Sequence, residues 1–249
     1  MLLLKTFEHH QFESKQIKMA AEKNEIKLIG AWNSPFVMRP RIALNMKGVA
    51  YEMLQETDGK KSDLLLKSNP VYKKIPVLIH NGKPICESMI IVEYIDETWS
   101  SDRASILPCD SYDRAIARFW TAYVDDKIPN TNRKLRTLTN ESEDTEAEAE
   151  KLIAALQSLE EAFKNCSKGK SFFGGDDIGY LDIAFGSHLA WIKAVEKIVE
   201  IKFLDKKKIP SLVAWSERFC AHGAVKEVMP EADMLVEFIK ARLSVSSSK

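Results

Sequence analysis

"EIKLIGAWNSPFVMRPRIALNMKG", residues 25–48, changes period at its middle. Glu25 to Trp32 is a short apolar run rich enough in isoleucine and leucine to predict a strand. From Ser34 the pattern predicts a helix, with serine as N-cap, Pro35 at the first helical position and Gly48 as the stop. Pro40 lies inside it and, lacking a backbone donor, should kink or confine the helix. Ser34 therefore stands on a strand-to-helix turn, a position suited to a nucleophile or an anion-binding donor. The next histidine along the chain is His80, so chemistry at Ser34 is not expected to begin with a histidine removing its proton.

Working outward, "VAYEMLQE" predicts a second strand and "KKSDLLLKSN" a short helix or loop. "KIPVLIHNGKPICES" predicts a hairpin turning at Asn81-Gly82. "ESMIIVEYIDETW" spaces Met89, Val92, Ile95 and Trp99 as a helix with Ser88 near its start. The order is β-α-β-α-β-β-α. From about Asp110 the strands stop. Two helical stripes follow, Tyr112/Ile116/Phe119/Tyr123 and Leu152/Leu156/Leu159/Phe163, both expected to be core. Further helices are expected at Leu181 to Glu200, Pro210 to Ala221 and Glu231 to Leu243.

These segments divide the chain into an extension at 1–24, expected to be disordered, an α/β domain at 25–102, a linker at 103–109 and an all-helical domain at 110–249. The whole length of 249 residues is enough for two domains, and 45% hydrophobic residues are enough for two cores. Thirty-six basic residues balance thirty-six acidic ones, which argues against nucleic acid or an anionic membrane as partner. The acidic run "ESEDTEAEAE" reads as a solvated approach to a helix N-terminus. Cys86, Cys109, Cys166 and Cys220 form no paired motif, so neither a zinc site nor a dithiol is expected. His9 and His10 read as solvated, and no metal is expected. The opening "MLLLKTFEHH" is too short an apolar run for a signal-peptide core, and no stretch is long enough to span a bilayer, so a cytoplasmic protein is expected.

The order of "SPFVMRPRIAL", "NPVYKKIPVL", "NGKPICES", "ILPCDSYDRAIARFW" and "GYLDIA" resembles the soluble glutathione transferases, most closely the plant-type tau class. The resemblance runs from about residue 25 through nearly the whole chain. It implies a thioredoxin-like N-terminal domain followed by a helical bundle, a homodimer, and a role in detoxification and stress response. It also implies an enzyme that adds the thiolate of reduced glutathione, a co-substrate rather than a bound cofactor, to hydrophobic electrophiles, with peroxide reduction as a side activity.

By the same resemblance Ser34 is the catalytic hydroxyl, donating a hydrogen bond that keeps the glutathione sulfur ionised. Glu87 and Ser88 hold the γ-glutamyl end, Lys61 the glycyl carboxylate, and the backbone of Ile75, before a cis Pro76, the cysteinyl unit. Asp182, three residues after Gly179, belongs to a helix-capping element and is structural. Phe36, Arg133, Trp191, Leu235 and Phe238 line the electrophile pocket. Pro129 and Arg136 stand where aromatic residues are usual in the family, which makes that pocket wider and more cationic. Two other functions compete. A carrier of apolar ligands would use the same cleft without turnover, while a redox thiol transferase would need cysteine at position 34.

Overall fold

The computed structural model describes residues 25–57, 59–100, 105–138 and 142–246. The expectation for residues 1–24, and the first part of the expected linker, lie outside them. Strand β1 (Ile26–Gly30) leads through the Trp32–Ser34 turn into α1 (Pro35–Lys47). Then come β2 (Glu52–Gln55), α2 (Asp63–Ser68), β3 (Val77–His80), β4 (Lys83–Cys86) and α3 (Ser88–Thr98). The strands form one sheet in the order β2-β1-β3-β4, with β1 parallel to β2 and antiparallel to β3. This is the expected β-α-β-α-β-β-α domain.

Alternation along the strands sorts the side chains onto two faces. Ile26, Leu28 and Leu78 join Val37, Met38 and Ile42 of α1 and Ile91, Val92 and Ile95 of α3 in the main core. Ile29, Val77 and Ile79 meet Leu65 of α2 in a separate cluster. Asn81 and Gly82 both have positive φ, 51° and 75°, as a two-residue hairpin turn of right-handed twist requires. Gly48 ends α1 in the left-handed conformation, its N–H bonded to the Leu44 and Asn45 carbonyls. Pro40 neither ends nor splits α1, which is a single element of 13 residues.

The helical domain comprises α4 (Ser111–Leu135), α5 (Glu143–Cys166), α6 (Tyr180–Gly186), α7 (Leu189–Val199), α8 (Pro210–Ala221), α9 (Gly223–Lys226) and α10 (Ala232–Ser246). The Leu152/Leu156/Leu159/Phe163 stripe of α5 is buried as expected. The stripe expected on α4 is not the core face. Tyr112 and Phe119 are 71% and 60% exposed, and the buried face carries Ala117, Thr121, Val124, Ile128 and Leu135. Apolar spacing identifies a sticky face but not what covers it, and α4 packs its other side inward.

The helix expected from Leu181 to Glu200 is broken at Ser187–His188 into α6 and α7. At the break the Ala184 carbonyl accepts from the Arg39 guanidinium at 3.0 Å and from the Ser187 hydroxyl at 3.0 Å. The His188 N–H turns to the Phe185 carbonyl instead, which tightens the turn and redirects the chain.

Two buried carboxylates lock this architecture. Asp182 accepts from the N–H groups of Phe173, Gly174 and Gly179 and from the Trp215 indole, all within 2.9 Å. Gly179 leaves room for this closure: a Cβ there would lie 2.7 Å from the Gly174 Cα, which explains why no serine or threonine completes the capping element. Asp96 of α3 accepts from the N–H groups of Ile106 and Leu107 at 2.9 Å and pairs with Lys47 of α1 at 2.7 Å, clamping the interdomain connection onto the first domain.

Candidate functional site

Ser34 sits where its sequence predicts. Its carbonyl starts the α1 ladder, and its Oγ accepts from the Val37 N–H at 3.4 Å. That bond is long for N–H···O, so the cap is weak. A hydroxyl has a donor as well as acceptor lone pairs, and the Ser34 hydrogen is committed to no partner among the described residues. The positive end of the α1 dipole lies at the same point. This arrangement can donate to an anion while still capping its helix.

Glu87 is the N-cap residue of α3 with φ 70° and ψ 117°, a conformation that non-glycine residues rarely adopt. Its side chain caps nothing, is exposed, and has no ion pair or hydrogen bond among the described residues. Strain of this kind, about 1–3 kcal/mol, concentrates at functional positions. Ser88, the first residue of α3, is buried and its Oγ accepts from Arg39 Nη1 at 3.1 Å. Its own hydrogen has no acceptor among the described residues. Lys61 is exposed, just before the Ser62 cap of α2, and carries no ion pair among the described residues. Ile75 is half-buried ahead of β3, and the Ile75–Pro76 peptide is cis.

Arg39, within the opening motif but not singled out by it, is the centre of the site's support. It is 0% exposed. Its guanidinium reaches Ser88 on α3, both Asp125 oxygens on α4 at 2.5 and 3.2 Å, and Ser187 Oγ at 3.3 Å. Its Nη2 also lies 3.2 Å from His188 Nε2. Burial first, then the charges of Arg39 and Arg136, hold His188 well below the usual imidazole range. Neutral His188 therefore accepts from Arg39 rather than repelling it. Phe36 packs on this cluster, with the Arg39 guanidinium 4.9 Å above its ring and His188 edge-on at 5.5 Å. The available signal was an arginine one turn before Ile42 and Ala43 on the inward face of α1.

The other expected pocket residues divide. Trp191 is 2% exposed and Leu235 0%, and both belong to a small cluster with Ala190, Ala194 and Ile239. The Trp191 indole donates to the Asn33 carbonyl at 2.7 Å, tying α7 to the turn that presents Ser34. Phe238 is half-buried, edge-on to Trp32 at 5.9 Å. Arg133 is exposed and bonds to Asn130 within its own helix. Arg136, the C-cap of α4, places its guanidinium carbon 3.3 Å above the Trp191 ring. No cluster of potential metal ligands occurs among the described residues.

Residues 24–97 match the family model for the glutathione S-transferase N-terminal domain, and residues 121–206 match one for a glutathione S-transferase C-terminal domain. Glutathione S-transferase U17 of Arabidopsis thaliana is 59% identical over 221 residues, which span 87% of this chain and 95% of that protein. Glutathione S-transferase U18 of the same plant is 56% identical over 222 residues, 89% of this chain and 96% of that protein. Among solved structures, a tau class glutathione S-transferase from mango, Mangifera indica, is 56% identical and superimposes with a TM-score of 0.84 over 88% of this chain and 99% of that one. A rice glutathione transferase crystallised with glutathione is 33% identical with a TM-score of 0.80, over 88% of this chain and 96% of that one.

Proposed function

The chain belongs to the glutathione S-transferase family, in its tau class, and on that footing we propose that its Ser34 hydroxyl holds the sulfur of bound glutathione as a thiolate that attacks an apolar electrophile. The protein is a glutathione transferase, and the serine role is the finer reading. One observation carries it: the Ser34 hydrogen is uncommitted at the positive end of α1. A thiol of pKa about 8.5 is only a few per cent ionised at pH 7, and half-ionisation needs about 2 kcal/mol. A charge-assisted hydrogen bond supplies about 1.5–3 kcal/mol, and a helix N-terminus up to about 1 more. The thiol proton leaves to solvent. The sulfur then forms a bond to the electrophilic carbon, and the leaving group departs with its electron pair.

Under this reading the exposed, unpaired Glu87 carboxylate takes the γ-glutamyl ammonium, and the Ser88 hydroxyl and the α3 N-terminus take the neighbouring carboxylate. Lys61 takes the glycyl carboxylate, and the backbone at Ile75 the cysteinyl unit. Binding of glutathione by the rice relative supports the assignment. A pH titration of thiolate absorbance in the glutathione complex tests it. Ser34→Ala should move the midpoint upward, and an unmoved midpoint leaves Ser34 a helix cap only.

Apolar Ile90 and Phe119 are exposed beside the Glu93–Arg118 pair that joins α3 to α4, a face suited to a second copy of the chain. We read the protein as a homodimer working in the cytosol. No helix among the described residues is long and apolar enough to cross a membrane.

A further inference from the structure

We propose that Arg136 makes this transferase selective for electrophiles that carry a carboxylate beyond an apolar body, with the guanidinium binding that carboxylate over the face of Trp191. The assignment rests on the glutathione-conjugating reading of the cleft and adds the substrate class to it.

Arg136 is a cation without a counter-charge among the described residues. Its Nε is buried with no hydrogen-bond partner, and no acidic group pairs with it among the described residues. The neighbouring charges are of the wrong sign or already used. Arg133 adds positive charge, His188 is held neutral, and Asp125 is spent on both arms of Arg39. Burial and then Arg133 lower the Arg136 guanidinium to about 9, so it remains cationic at neutral pH. One turn earlier on the same helix face, Asn132 is buried with both side-chain polar atoms unpartnered among the described residues. Buried donors without partners are costly and uncommon in folded proteins, and they cluster where a ligand or water completes them.

The location ties this cation to the reaction. Trp191, beneath the guanidinium, donates to the carbonyl of Asn33, the residue before Ser34. Because Trp191 is almost wholly covered, the surface offered there is cationic, not aromatic. Trp32 and Phe238 supply an apolar wall beside the same cluster. A planar guanidinium accepts a carboxylate in two parallel hydrogen bonds, and an aromatic face below it does not compete for those donors. A neutral electrophile would bury the same surface but leave the charge uncompensated.

The experiment separates the charge from the chemistry. Binding is measured by tryptophan fluorescence with 2-naphthoate and with its methyl ester, which share one apolar body, in wild type, Arg136→Gln and Arg136→Lys. Turnover is measured with 4-chloro-3-nitrobenzoate and its methyl ester, in which the thiolate displaces chloride from the same ring carbon. Wild type should bind the acid more tightly than the ester, and Arg136→Gln should cut the acid-to-ester ratio about tenfold or more in both assays. Lysine should retain part of the preference. Equal affinity for acid and ester in wild type overturns the proposal, whatever the variants do. So does an acid-to-ester ratio that Arg136→Gln leaves unmoved, while a fall confined to that ratio supports it even if the variant is less stable. Failure of wild type to turn over either chloride would instead strike the conjugating reading, because the naphthoate titration reads the anion site without catalysis.

Discussion

Arg39 Nη2 and Asp125 Oδ1 lie 2.5 Å apart, one on the first helix of the N-terminal domain and the other on the first helix of the helical domain. Arg39 is wholly buried while Asp125 keeps one side in water, so the two ends of this pair are not equivalent. Asp125→Asn keeps the shape and removes the counter-charge from a buried cation, a change that costs about 3–5 kcal/mol in buried pairs and falls toward the lower figure here because Asp125 is partly solvated. Since Arg39 also holds Ser88, the variant should raise KM for glutathione. Urea unfolding and initial rates check both effects. An unmoved unfolding midpoint would show that the interdomain pair is dispensable.

Glu87→Gly separates strain from function. Glycine adopts φ 70° without a Cβ clash, and the roughly 1–3 kcal/mol of strain relieved outweighs the roughly 0.5–1 kcal/mol glycine costs in chain entropy, so the variant should gain about 1 kcal/mol of stability while losing the carboxylate expected to hold glutathione. The melting temperature should rise and KM for glutathione should rise with it. A less stable variant with normal KM would mean that Glu87 serves the fold alone.

Acid should loosen the interdomain connection only as pH falls below the ordinary carboxylate range. Burial alone would raise the Asp96 pKa, but the bonds from Ile106 and Leu107 and the Lys47 charge outweigh it, and the carboxyl lies below its usual range. A lowered carboxyl contributes stability that is complete above the unfolded pKa of about 3.9 and is lost as pH falls through the folded value. Asp96→Asn should therefore be less stable near neutrality and show a shallower decline below about pH 4. Unfolding free energies from pH 6 to pH 3 decide it, and parallel curves for the two proteins would exclude Asp96 as the sensor.

Asp182 has the opposite sign. Burial pushes its carboxyl up to about 6 despite four hydrogen-bond donors, so its charged form is at a disadvantage that is relieved as pH falls from about 6 toward 4. Removing the acceptor is another matter. Asp182→Ala leaves three buried donors and a partly buried fourth unpaired, at about 1–3 kcal/mol for each buried one, a loss comparable with the roughly 5–15 kcal/mol stability of an ordinary domain. Little folded protein should be recovered, and Asp182→Asn should be intermediate. Recovery of Asp182→Ala at wild-type stability would refute the clamp.

How much of this was legible in the chain depends on how far apart the interacting residues are. The Gly48 stop, the Asn81-Gly82 hairpin and the Leu152-to-Phe163 core stripe are set by near neighbours, and the sequence pattern predicts each. The outward face of α4 is misread because Tyr112 and Phe119 have core-like spacing yet stay exposed, with Phe119 edge-on to its own helix neighbour Trp120. Arg39 meets Asp125 86 positions away and Ala184 145 positions away, and no local pattern announces either. The break between α6 and α7 is illegible for the same reason, since the Ala184 carbonyl gives way to that arginine. At the candidate site, Ser34 and Ser88 are readable as helix starts, whereas the orphaned charge of Arg136 emerges only when Trp191 is brought beneath it.

Ser34→Ala and Ser34→Gly together separate the cap from the chemistry. The cap bond is long at 3.4 Å, so alanine should cost about 0.5–1 kcal/mol of stability, and glycine, a tolerated N-cap, only a few tenths. Both variants lose the hydroxyl donor. Without a charge-assisted bond of about 1.5–3 kcal/mol, the bound thiol pKa should rise by roughly one to two units in either variant. Turnover near pH 7 should fall on the order of tenfold to a hundredfold and partly return as pH rises, because alkali ionises the thiol without help. Melting temperature should rank the two variants by capping, while rate should treat them alike. If the glycine variant kept both wild-type stability and wild-type rate, Ser34 would hold its helix and nothing else.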